Sequence, residues 1–160
     1  MLNECICLMN KETFEKKMRE AVYNPRLDAL FVDLQMSVGH TDRHYYEVFC
    51  GFQCLKQFVA DGNQESLETA IRKFDYVLDE DLKYVRAISY YGKGIAYAYY
   101  QTGGGFSKSY SCLDTLIYMN VTFATDRSEF VEELQTEARH LRGDIKAWDK
   151  KLNPFLSFFR

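Results

Sequence analysis

The chain has 160 residues and a formal net charge of −3, with 20 basic residues scattered among 23 acidic ones. One domain of this size can bury a sizeable core, and dispersed Lys and Arg argue against nucleic acid as a partner, since phosphate contacts need clustered cations. No run approaches the ~20 apolar residues of a membrane span, the start MLNECICLMNKE carries no basic leader, and five cysteines leave a disulfide framework incomplete.

The expectation is a single all-α domain over 1–160 with reduced thiols, cytoplasmic, with no membrane partner. Only two prolines interrupt the chain, which suits long helices. After an apolar leader (1–9), Asn10 is placed to cap a helix carrying Phe14, Met18, Ala21 and Val22 at helical spacing, running to about Asn24 and stopped by Pro25. A second helix, Arg26 to about Ser37, puts Leu27, Leu30, Phe31 and Leu34 on one stripe, and Gly39 breaks it. Asp42 opens a third, with Tyr45, Val48, Phe49, Phe52, Leu55 and Phe58 as its apolar set.

The Asp61–Gly62–Asn63 turn signal precedes a fourth helix, capped by Asn63 and carrying Leu67, Ala70, Ile71, Phe74, Val77 and Leu78. Asp79, Glu80 and Asp81 end it and begin a fifth, Leu82 to Gln101. Gly103, Gly104 and Gly105 predict a break before a shorter helix that turns Cys112, Leu113, Leu116 and Ile117 inward. Asp126 with Glu129 resembles a capping box for a last long helix reaching Trp148, followed by an apolar tail, 152–160, containing Pro154. About six to seven helices result, either stacked antiparallel hairpins or a helical bundle.

Gly51 and Cys54, then Ala70, Phe74 and Val77, then Ile95, Ala96, Tyr99 and Gly103, then Ser109, Leu113 and Leu116 alternate small and large residues over 42–120. This pattern resembles the tetratricopeptide (TPR) helical repeat, although the family's ~34-residue period is not kept and its proline after the second helix is absent. The resemblance implies stacked hairpins with a concave groove for another protein or peptide. It places Tyr90, Lys93, Tyr97, Tyr100 and Gln101 in that groove, joined from the preceding repeat by Tyr45, Val48, Phe52, Leu55 and Lys56. Small acidic chaperones of bacterial secretion have this size and repeat type, so a chaperone or adaptor is the narrower form of the reading.

Tyrosine density supports the same face. Tyr84, Tyr90, Tyr91, Tyr97, Tyr99 and Tyr100 share one helix, which can bury only one stripe against a neighbour, and tyrosine offers rigid contact area with a polar tip. The alternative is that these rings fill space between helices. Gly92 and Gly94 weaken that helix by about 1 kcal/mol each, which points to close helix approach.

No reactive constellation emerges. His44, Cys50 and Cys54 extend over nearly three turns and do not surround one ion, and His40 lies before that helix, near the Asp42 cap; Cys5 and Cys7 lack a second pair, and His140 sits beside Arg139 and Arg142 on a helix face that reads as solvated. GGGFSKSY combines glycines, Lys108 and a helix start, an arrangement able to hold an anion but also an ordinary turn. The expected function is therefore non-enzymatic protein recognition with no cofactor or metal. The competing reading is a self-associating bundle, with Phe155, Leu156, Phe158 and Phe159 of the tail as a homo-oligomer contact.

Overall fold

A computed structural model describes residues 9–38, 43–78, 83–121 and 127–155. Among them are seven helices: α1 (Lys11–Val22), α2 (Pro25–Val38), α3 (Arg43–Asp61), α4 (Gln64–Tyr76), α5 (Lys83–Tyr99), α6 (Gly103–Ile117) and α7 (Ser128–Leu152). The fold is all-α, as the spacing predicts. No helix among the described residues is long and apolar enough to cross a membrane.

Local chemistry sets the helix boundaries. Asn10 Oδ1 accepts the Thr13 N–H at 2.8 Å and starts α1; Asn63 does the same for α4 through Glu65, after a left-handed Gly62 at φ 70°. Pro25 does not only stop α1. It is the first residue of α2, where a missing N–H is harmless, and Asn24 caps that helix through the N–H groups of Arg26 and Leu27. The glycine run likewise begins α6 rather than forming the break. The chain turns at Gln101, with φ 53°, and Thr102 Oγ1 caps the Gly105 N–H at 3.1 Å. Gly39, Asp42, the acidic 79–81 run and Asp126 lie outside the described residues; α7 has Arg127 at its cap position, without a side-chain capping bond.

Two hairpins, α3–α4 and α5–α6, pack side by side, and α7 lies on α5 and α6. Phe74 of α4 is the wedge between the hairpins. A Cβ on Gly51 of α3 or on Gly92 of α5 would collide with its ring. Gly94 gives the same closeness to Leu113 of α6, where Ser109 Oγ donates to the Gly94 carbonyl at 2.6 Å. Close approach thus accounts for both α5 glycines. Gln135 of α7 donates to the carbonyls of Leu116, Ile117 and Met119, satisfying the open end of α6.

α1 and α2 form one kinked arm, and α1 lies on the face shared by α3, α5 and α7. The arm runs antiparallel to α7 along its length. Successive contacts pair Met9 with Lys151, Phe14 with Trp148, Lys17 with Asp144, Asn24 with Glu137, Arg26 with Glu133 and Asp33 with Arg127. It is also antiparallel to α3, with Asp28 on Lys56 and Phe31 against Phe52, Phe49 and Tyr45. Phe14, Met18, Val22, Leu27 and Leu34 are 0–1% exposed, so the arm completes the core and does not decorate it.

Candidate functional site

The arm decides which of the expected groove residues face solvent. Tyr45 and Phe52 are 2% and 1% exposed. Phe31 of α2 covers both, and the Tyr45 hydroxyl donates to the Phe31 carbonyl at 2.7 Å. Burial pushes the Tyr45 phenol up, helped by nearby Cys50. These two residues are therefore core, a correction to their expected place on a binding face; Val48 and Leu55 are buried with them. Lys56 is drawn to α2, where it pairs with Asp28 at 2.8 Å and lies 5.2 Å from the Tyr23 ring. Gln101 accepts from Trp148 Nε1 at 3.0 Å and ties the α5–α6 turn to α7.

The tyrosines of α5 divide by face. Tyr91 points to the arm: it is buried, bonded to Asn24, and its phenol is raised far above its ordinary range by that burial. Tyr99 is also directed toward α1 and stacks edge-on with Phe58 at 5.0 Å. Half a turn of helix away, Lys93 and Tyr97 lie on the flank opposite the arm, reaching α4 and α6. Lys93 pairs with Asp75 of α4. Burial alone would lower the Lys93 ammonium, but Asp75 reverses the direction and holds it above its ordinary value.

Tyr97 is the centre of this flank. Its ring is 6.4 Å from that of Tyr100, with Lys93 Nζ at 5.8 Å and Lys108 Nζ at 5.3 Å, both within cation–π range. Burial raises the Tyr97 phenol, against the lowering effect of Lys93. Tyr97, Tyr100, Thr102, Gly104, Gly105 and Lys108 line a cleft of about 270 Å³ where α5 turns into α6. Gly105 is needed here, because a Cβ would meet the Tyr97 carbonyl at 2.7 Å. Tyr90 is half-buried beside this surface, packed against the core. Of the expected residues, the fold brings Lys93, Tyr97 and Tyr100 together and disperses Tyr45, Phe52, Lys56 and Gln101.

A second cleft, about 280 Å³, lies between α1 and α7 at the elbow of the arm, lined by Lys17, Glu20, Asn24, Tyr91, Glu137, His140 and Asp144. Burial raises the Asp144 carboxyl, opposed by Lys17 and His140. Asn24 is fully engaged there: its amide donates to Glu137 while its carbonyl caps α2. The chemistry of this cleft is that of a joint. Among the described residues no group of three or more His, Cys, Asp or Glu is arranged to hold a metal ion. Cys50 and Cys54 are half-buried, one turn apart on α3; His40, Cys5 and Cys7 lie outside the described residues.

No family model, curated protein or solved structure matches the chain.

Proposed function

We propose that this chain is a recognition module, working as a small adaptor or chaperone, that holds a peptide or helix of another protein on the outer flank of α5. The observation that carries the reading is the Tyr97 cleft, where two tyrosines and two lysines meet at a partly exposed surface. Aromatic rings supply apolar burial and phenol hydrogen bonds, while Lys108 and the first-turn amides of α6 favour a segment that offers a carboxylate or carbonyl beside an apolar side chain. The likeness to tetratricopeptide hairpins supports a binding role on this same flank, since it assigns Tyr90, Lys93, Tyr97 and Tyr100 of α5 to the groove. The α3 residues that it would add, Tyr45 and Phe52, lie in the core beneath the arm, so the proposed face is built from α5 and α6 alone.

Affinity capture from native lysate tests this, comparing wild type with the double variant Tyr97→Ala/Lys108→Ala and using circular dichroism to confirm folding. Loss of partners from the folded variant is expected. Recovery of the same partners in equal yield would overturn the assignment.

A further inference from the structure

Helix α2 carries a second apolar line besides the one it buries. Leu27, Leu30, Phe31 and Leu34 face the core, whereas Pro25, Ala29, Val32 and Met36 recur at helical spacing on the other side and are exposed. Val32 is 58% and Met36 85% exposed. Single exposed apolar residues are ordinary, but four in line over three turns form a strip of the kind that marks association.

The strip is graded, with Pro25 and Ala29 small at one end and Val32 and Met36 large at the other. We infer that a second copy of this chain docks here, α2 against α2, antiparallel about a two-fold axis between residues 29 and 32. That operation is isologous and sets each small residue on a large one: Ala29 against Val32 of the second copy, Pro25 against its Met36. A parallel pairing would put Met36 on Met36 and Pro25 on Pro25, crowded at one end and gaping at the other.

The charges agree with the same axis. Arg26 and Asp33 share one flank of the strip, Asp28 and Gln35 the other. An antiparallel two-fold sets each flank against itself, so Arg26 falls about 3 Å along the helix axis from Asp33 of the second copy, given a 1.5 Å rise per residue. Asp28 meets Gln35 in the same way. Arg26 and Asp33 contact Glu133, Glu137 and Arg127 within their own chain, yet their side chains stay 52% and 64% exposed and can serve both sets of partners. Among the described side chains of α2 itself, no like charges oppose each other along either flank. This contact lies on a different face from the Tyr97 cleft, so one can fail while the other stands.

Light scattering on a size-exclusion column, over a range of loading concentrations, tests the inference with the full chain. Three samples are compared: wild type, Val32→Asp, and a truncation ending at residue 152. The expected result is a concentration-dependent dimer for wild type and truncation, and a dissociation constant raised more than about tenfold by Val32→Asp. Met36→Asp, at the most exposed position of the strip, should act in the same direction should Val32→Asp fold poorly. A wild type that stays monomeric at high micromolar concentration overturns the inference. So does a dimer that survives both aspartates, or one lost only on truncation, which would assign the contact to the tail.

Discussion

Gly92 and Gly143 make a paired test of the packing, because both are helical and only one is enclosed. A Cβ on Gly92 would enter the ring of Phe74, which is 0% exposed and is held from the other side by Gly51. Nothing lies within 4 Å of a Cβ on Gly143, in the exposed middle of α7. Alanine gains about 0.8–1 kcal/mol over glycine in a helix interior, while forcing a methyl into a filled core costs about 1–3 kcal/mol. Gly143→Ala should therefore stabilise by about 0.5–1 kcal/mol. Gly92→Ala should come out destabilised by about 1–2 kcal/mol, since the Phe74 ring has no side to which it can retreat. At about 2–4 °C per kcal/mol for a domain of this size, thermal melts should move in opposite directions. Trimming the wedge with Phe74→Leu should remove most of the Gly92→Ala penalty, a coupling that a double-mutant cycle reads directly. If Gly92→Ala melts above wild type, or the cycle is additive, Phe74 does not fill the space between the hairpins.

Two further outcomes concern the polar contacts. Asp149 is fully buried and accepts from the Tyr110 hydroxyl at 2.7 Å; Tyr110→Phe should cost about 1–3 kcal/mol in urea unfolding, and an unchanged midpoint would show that this bond contributes nothing. The Asp144 carboxyl is raised by burial above its ordinary 3.8. The folded state then binds its proton more readily than the unfolded chain, so this group's contribution to stability grows as pH falls through the raised value toward 3.8 and is lost as pH rises back through it. Asp144→Asn should flatten that part of the stability–pH curve, and a variant with the wild-type slope would rule the effect out.

Much of the fold is written locally. The Asn10 and Asn63 caps, the α4 stripe ending on Phe74 and the close approach at Gly92 and Gly94 follow from spacing and side-chain chemistry. Two local signals misled for physical reasons. Pro25 disrupts a helix interior but suits a first turn, and Asn24 beside it was able to cap. Three glycines suggest a break, yet Thr102 caps them into a helix whose first turn must pass close to Tyr97.

The site was half legible. Tyrosines stand on both sides of α5, and composition does not distinguish the side that meets the arm from the side that meets solvent. That choice depends on residues distant in sequence: Asn24 at Tyr91, Phe31 over Tyr45, Asp75 on Lys93. Lys108 belongs to the glycine-rich GGGFSKSY segment, which reads in sequence as an ordinary turn or an anion-holding helix start, and Thr102 just before it carries no sequence signal of its own; neither discloses nearness to Tyr97.

Tyrosine-selective oxidative labelling of the native chain, read by mass spectrometry, addresses most directly the division of α5 into a face closed by the arm and an outer face left for recognition. Tyr97 and Tyr100 should label at rates between that of Tyr118, which is 82% exposed, and those of Tyr91 and Tyr45, both 2% exposed and protected. Labelling of Tyr91 as fast as Tyr97 would mean that the arm does not cover α5, and the placement of the binding face would fall with it.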